Sequence, residues 1–321
     1  MPVLTVRHLT EYRYTRPVAF GEHRVMFRPR DSYDQRLLDA DIAITPRPTS
    51  LRWLQDVFGN CVAIVQFAGR AEALRFESTI RLDHSPANVL DFAIEDHAQT
   101  YPFAYGAEDM PDLMRCIERQ YLDPDHAVDR WARQFVTERP RCSTYNLLVA
   151  MTCAIKRDFQ YRARTEKGVQ DPILTLELGS GSCRDFAMLM IEAVRALGMA
   201  ARFVSGYLYV PSRDGSGRVG GGSSHAWLQI YLPGAGWVEF DPTNGIVGNR
   251  DLIRVAVARD PRQAIPLWGT WYGEASDYVG MTTEVHVTAA ADVADAARAA
   301  DELPQNDAAM PRLFEDHPRQ G

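Results

Sequence analysis

Gly179-Ser180-Gly181-Ser182-Cys183-Arg184-Asp185-Phe186 joins a glycine- and serine-rich turn to the start of a helix-forming segment. A run of small residues delivers one cysteine to the head of an apolar segment, 186–197, which Gly198 stops. The spacing predicts a helix with Ser182 at its N-cap and Asp185 in the first turn, where a carboxylate suits the helix dipole. A thiol at that place meets the positive end of the dipole, which favours thiolate and therefore nucleophilicity. The plainer reading is a buried structural cysteine, because most unpaired cysteines act as small hydrophobes. Residues downstream separate the two.

Two strand-like segments follow, 225–232 and 237–241; His225 opens the first and Asp241 ends the second. A thiolate nucleophile needs a base, and the base needs a partner that fixes its tautomer. Side chains alternate along a strand, so His225 and Asp241 share a face only if paired residue numbers sum to an even value. Pairing Leu232 with Trp237 fails that condition. The loop around Pro233-Gly234-Ala235-Gly236 must therefore hold an odd number of residues, or a bulge. With Tyr231 opposite Trp237, Trp227 faces Asp241 and His225 lies diagonal to it, within reach.

The rest of the chain divides by periodicity. Segments 3–14, 23–27, 37–44, 50–57, 61–67 and 73–82 read as strands, the first stopping at Arg16-Pro17, with Gly59-Asn60 as a hairpin turn. Strands at this spacing without a helical period predict a small sandwich or barrel. A joint at 102–111 precedes helical spacing at 112–121, 126–137 and 143–157. In the last of these Ser143 caps, and Leu147, Leu148, Met151, Ala154 and Ile155 form an apolar stripe with Cys153 in the core. Next come an extended piece at 159–162, a polar loop to Thr175, the Cys183 helix and a strand at 201–210. The glycine-rich stretch 211–223 reads as a flexible hairpin tip, 282–287 as the last clear strand, and 289–321 as a mobile acidic, alanine-rich tail. The domains expected are 1–97 (β-rich), a linker at 98–111, a catalytic domain at 112–288 and the tail at 289–321.

At 321 residues, 46% hydrophobic and 24% charged, the composition is that of a globular protein, and the net charge of −7 argues against a nucleic-acid or anionic-membrane partner. Lys156 and Lys167 are the only lysines, which a GC-rich coding bias explains. No signal-peptide pattern opens the chain, and no apolar run approaches the roughly 20 residues of a membrane span. Cys61, Cys116, Cys142, Cys153 and Cys183 are odd in number, widely spaced and without a CxxC, as in a reducing compartment. A cytoplasmic location is the expectation. His8, His23 and His84 are isolated and read as structural; Arg24, Arg28 and Arg30 read as a solvated face.

Gly181-Ser182-Cys183-Arg184-Asp185-Phe186-Ala187, Ser224-His225-Ala226-Trp227 and Gly236-Trp237-Val238-Glu239-Phe240-Asp241-Pro242-Thr243-Asn244 resemble, in order, the three motif blocks of the transglutaminase-like superfamily. Tyr12-Arg13-Tyr14 through Arg28-Pro29-Arg30, with Asp56-Val57-Phe58-Gly59-Asn60, is similar to the β-rich N-terminal region of bacterial members. Ala256-Val257-Ala258-Arg259-Asp260 with Gly269-Thr270 fits their segment after the aspartate, so the resemblance covers about residues 3–288. It implies an α+β fold: a β-sandwich-like domain, then a papain-like transglutaminase core with helices packed on an antiparallel sheet. It implies Cys183 as a nucleophile that forms a thioester, His225 as base and then acid, and Asp241 orienting the imidazole. The Cys183 backbone N–H is the first oxyanion donor, and Tyr161, in a segment resembling the family's strand before the loop, is a candidate for the second. Trp227 and Trp237 are expected to wall the site, with core packing as the alternative. Asp185 either docks a substrate amine or, as the better reading, stabilises the helix start. The calcium sites of animal crosslinking enzymes have no counterpart, so neither metal nor cofactor is expected.

The implied activity is cysteine-dependent acyl transfer on amide or peptide bonds of a peptide or protein substrate with a glutamine-type acyl group. Bacterial members are mostly described as candidate cysteine proteases, which tilts the expectation to hydrolysis; transamidation to an amine acceptor is the alternative. A non-catalytic peptide-binding protein on the same fold is a second class, and zinc held by Cys183, His225 and Asp241 a third. The glycine-rich loop lacks the Gly-Lys-Ser/Thr ending of a phosphate loop, and there is no His-Glu-x-x-His.

Overall fold

A computed structural model describes residues 3–86, 93–136, 142–164, 166, 168–210 and 221–289. The chain opens on a long strand, β1 (Val3–Val25), in which Leu4, Val6, His8 and Thr10 alternate inward. It is followed by β2 (Gln35–Thr45), β3 (Ser50–Gln55), β4 (Cys61–Gln66) and β5 (Arg70–His84). These lie in one antiparallel sheet in the order β2-β5-β1-β4-β3. The expected stop at Arg16-Pro17 is not one. Pairing of β1 with β5 shifts register between Arg13 and Val18, and Pro17 sits inside that gap, where no ladder donor is required. Gly59 takes a left-handed φ of 75° in the turn joining β3 and β4.

The middle of the chain is helical. Short strands β6 (Thr100–Tyr101) and β7 (Cys142–Ser143) pair across α1 (Met110–Ile117) and α2 (Ala127–Arg133), so the segment expected as a linker is tied into the core. Helix α3 (Thr144–Asp158) follows, and the Ser143 side chain caps it by accepting from Asn146 N. Cys153 lies on its exposed side, not in the core as expected. After β8 (Gln160–Tyr161), the expected polar loop contains α4 (Pro172–Leu178), capped by Asp171 and started by Pro172. Seven residues are too few to show a helical period.

Next come β9 (Ser180–Gly181), α5 (Cys183–Ala196), β10 (Ala201–Leu208), β11 (His225–Leu232), β12 (Gly236–Asp241), β13 (Ile246–Val247) and β14 (Leu252–Ala258). The last five form an antiparallel sheet in the order β13-β12-β11-β10-β14. Helix α5 is buried nearly all round: Met188, Leu189, Met190, Ile191, Ala193 and Val194 are inaccessible. It packs between β11 on one side and α2 and α4 on the other, as a helix apolar on every face must. Its buried Glu192 pairs with Arg195 at 3.1 Å and also accepts from the Gln120 and Tyr121 amides.

The last two strands, β15 (Leu267–Tyr272) and β16 (Tyr278–Ala289), leave this sheet and pair with β1. The expected catalytic domain at 112–288 is therefore too long: its last strands complete the N-terminal sheet. The two sheets share a core in which Leu4, Val6, Ile80 and Leu82 meet Tyr207, Ile253 and Val255. Asn60 joins them a second time, donating from Nδ2 to Val257 O (2.7 Å) and accepting at Oδ1 from Val257 N (2.9 Å). The Asp56–Asn60 block is thus a docking turn. Residues 211–220 of the glycine-rich tip and 290–321 of the tail lie outside the described residues.

Candidate active site

Cys183 begins α5 and is buried, with 8% exposure. The approach is held by β9 running parallel to β8, with Tyr161 beside Gly181. Gly181 is required there, because a Cβ would stand 2.9 Å from Asp185 Cβ and 3.3 Å from Phe186 Cε1. Asp185 is the rivet of the helix start. Its Oδ2 accepts from both the N–H and the hydroxyl of Ser182 at 2.8 Å. Its Oδ1 accepts from Arg164 Nη1 and Gln170 N at 2.7 Å. The side chain is fully buried and both oxygens are occupied, so it stabilises the helix start and is closed to a substrate amine.

The hairpin carrying His225 and Asp241 has the required parity. Leu232 pairs with Gly236, leaving the three-residue loop Pro233-Gly234-Ala235, and Tyr231 stands opposite Trp237. Ala235 N donates to Leu232 O (3.0 Å), and Gly236 takes a φ of 72°, the left-handed residue such a loop needs. His225 Nε2 then donates to Asp241 Oδ2 at 2.8 Å, and both side chains are fully buried. Among the described residues Nδ1 of His225 makes no hydrogen bond of normal geometry, and the Cys183 side chain interacts with the ring. Burial opposes charge on this ring, but the Asp241 carboxylate and, more weakly, Cys183 outweigh it and push the pKa up to about 10. For Asp241, burial works upward, and the charge and hydrogen bond of His225, with bonds from Asn244 and Thr243, hold it below its ordinary value.

Asn244 escaped the sequence reading. Its Nδ2 donates to Asp241 Oδ2 (2.8 Å), while Thr243 N donates to Oδ1 (2.9 Å) and Gly245 N to the Asp241 carbonyl (2.8 Å). Lys156 Nζ donates to Asn244 O at 2.6 Å, tying this turn to α3. The signal was present: an aspartate followed by Pro-Thr-Asn-Gly is turn chemistry in which the side chain binds its own backbone.

The aromatic residues divide. Trp227 stacks on His225, with ring centroids 5.9 Å apart at 27°, but it is inaccessible and backs the imidazole without facing substrate. Gly206 makes room for it; a Cβ there would be 2.6 Å from Trp227 Cη2 and 2.1 Å from Ile253 O. Trp237 does not wall the site. It lies at the far end of β12 from Asp241, under the Arg202 guanidinium at 4.0 Å and against Tyr231, so core packing accounts for it. Tyr161 stands beside Gly181 with its ring 6.5 Å from that of Phe186; burial raises its pKa, and the charges of Cys183 and Asp185 add to the effect. Among the described residues no three His, Cys, Asp or Glu side chains are grouped as a metal ion would need.

Comparison with known proteins follows the same division of the chain. Residues 4–83 match the bacterial transglutaminase-like N-terminal region, and residues 130–242 match the transglutaminase-like superfamily. An uncharacterized protein of Mycobacterium tuberculosis is 29% identical over 286 residues, spanning 85% of this chain and 89% of that protein. Another from Mycobacterium leprae is 38% identical over 106 residues, 33% of this chain and 37% of its own length. Among solved structures, a protein of Cytophaga hutchinsonii named a candidate cysteine protease is similar in fold, with a TM-score of 0.67, 18% identity and coverage of 90% of this chain and 91% of that one. The chain thus carries, in order, a region that matches the bacterial transglutaminase-like N-terminal region and one that matches the transglutaminase-like superfamily, and it shares the fold of the Cytophaga hutchinsonii protein along nine-tenths of its length.

Proposed function

We propose that this protein is a cysteine-dependent acyl-transfer enzyme acting on amide or peptide bonds. One observation carries the reading: Asp241 engages Nε2 of His225, which leaves Nδ1 as the ring nitrogen for Cys183, whose side chain also interacts with the ring. In the proposed reaction Nδ1 takes the Cys183 proton and the sulfur attacks the substrate carbonyl. An S–C bond forms and the carbonyl electrons move to oxygen. Collapse of this oxyanion expels the amine, which leaves with the proton returned by His225, and a thioester remains. Water then releases an acid, or a second amine releases a new amide, with His225 again acting as base. Asp241 keeps the proton on Nε2 and so keeps Nδ1 basic. The Cys183 N–H, without an intrahelical partner in the first turn, and the Tyr161 hydroxyl serve the oxyanion.

Hydrolysis is the first choice, in keeping with the protease name given to the Cytophaga hutchinsonii protein; transamidation shares every step up to the thioester. A peptide-binding protein on the same fold would have no use for the buried His225–Asp241 pair. The substrate in this reading is a peptide or protein, and the net charge of −7 speaks against nucleic acid or an acidic membrane. Location inside the cell belongs to the same proposal: the five cysteines include no disulfide, and no described helix is long and apolar enough to cross a membrane. Mass spectrometry of peptide and amine mixtures, with wild type and Cys183→Ala, tests it. Cleavage, deamidation or amine incorporation lost in the variant supports the reading. Turnover that survives Cys183→Ala, or an inert wild type, overturns it.

A further inference from the structure

We propose that Arg184 determines acyl-donor specificity by holding a carboxylate of the peptide substrate beside the carbonyl that Cys183 attacks; this rests on the reading of Cys183 as the nucleophile. Arg184 is the second residue of α5 and is half-buried. Among the described residues its guanidinium has no hydrogen bond and no ion pair. The adjacent carboxylate cannot serve it, because both Asp185 oxygens are taken by Ser182, Arg164 and Gln170.

A cation in the first turn also runs against the helix dipole, so the position gains nothing locally from its charge. Residues that break a local rule without a local gain belong to functional positions.

Arg184 and Cys183 also act on one common group, the Tyr161 phenol, in opposite senses. The guanidinium is therefore within electrostatic range of the same mouth as the thiol. Its planar fork of donors matches a carboxylate and stays charged throughout the working pH range. The substrate class this selects is a peptide with a carboxylate next to the reacting carbonyl, from an acidic side chain or from the chain end.

Charge-selective alkylation tests this on the intact protein. The Cys183 sulfur displaces iodide from either iodoacetate or iodoacetamide, and the ratio of the two rates cancels the reactivity of the thiol itself. In Arg184→Gln the iodoacetate-to-iodoacetamide ratio should fall about tenfold or more, the loss of one charge-assisted hydrogen bond, and Arg184→Lys should retain part of it. Fast labelling of Cys183 with an unchanged ratio in Arg184→Gln overturns this inference alone. Labelling no faster than the other thiols, with both reagents, overturns the nucleophile and the inference together. Two protecting peptides assign the carboxylate. Acetyl-Ala-Glu-Ala-amide protecting Cys183 against iodoacetamide indicates a side chain; acetyl-Ala-Gln-Ala with a free carboxyl end indicates a chain end. Protection that disappears in Arg184→Gln supports the proposal, and no protection by either peptide at millimolar concentration counts against it.

Discussion

Nε2 of His225 and Oδ2 of Asp241 stand 2.8 Å apart although their strands place them diagonally, since Leu228 is the residue opposite Phe240. The contact depends on the odd length of the loop between them. Deleting Ala235 leaves two loop residues, shifts the register by one and turns Asp241 to the other face of the sheet. We expect the deletion to slow alkylation of Cys183 by about 100-fold, the usual worth of a positioned base, while Ala235→Gly reacts as wild type. Selective alkylation that survives the deletion would show that parity does not govern the pair.

The same pair sets a pH signature in stability. His225 is raised to about 10 because the Asp241 carboxylate outweighs the effect of burial. A folded pKa above the unfolded value of about 6.5 means that this share of stability is complete below that pH and is lost as pH rises through 10. Asp241, held low, contributes in the opposite sense: its share is present above its ordinary value of 3.8 and is lost as pH falls below it. The gap in unfolding midpoint between wild type and His225→Gln should therefore narrow steadily from pH 6.5 to 10. A gap that stays constant would mean that His225 is uncharged in the folded protein.

Where the residues carry both a local signal and a partner nearby in sequence, the fold is legible in advance. The cysteine helix, the strand opening at His225 and the odd loop before Trp237 are of this kind. What stayed hidden depends on distant pairing. Nothing in Leu267–Tyr272 or Tyr278–Ala289 tells a reader that they cross back to β1, more than 240 positions away in sequence. Likewise, alternation puts Trp227 and Trp237 on one face, with Trp237 and Asp241 at opposite ends of their strand, but only the observed contacts with Arg202 and Tyr231 show where the Trp237 ring packs. Tyr161 was named from the resemblance alone, and the structure sets its two-residue strand beside Gly181. Asn244 was missed because an amide three residues after Asp241 reads as turn chemistry alone.

Asn244 should betray itself as a positioning residue. Its Nδ2 donates to the Asp241 oxygen that His225 also uses and helps hold that carboxyl low. In Asn244→Ala the acid limb of the alkylation profile should move to higher pH, because Asp241 then protonates more readily. A hydrogen bond to a charged group is worth about 1.5–3 kcal/mol, so the rate at neutral pH should fall by about tenfold or more. Loss of stability with an unmoved pH profile would assign Asn244 to the turn alone.

Asp185 offers the sharpest contrast between the two roles open to it from sequence. A carboxylate that docks an amine would, on replacement by asparagine, raise the KM for an amine acceptor and leave folding alone. The structure instead surrounds it with Arg164, Gln170 and Ser182 donors at 2.7–2.8 Å and no exposure. Removing the charge strands the Arg164 guanidinium and leaves an amide N–H₂ facing donors. Breaking a buried pair this way costs about 3 kcal/mol. We expect Asp185→Asn to lose that much in urea unfolding, with alkylation of Cys183 falling because the loop that carries it is no longer fixed. Arg164→Gln should lose less, since that side chain is 19% exposed and water can replace part of the contact. Full stability in Asp185→Asn, with only amine use impaired, would return Asp185 to the substrate side of the site.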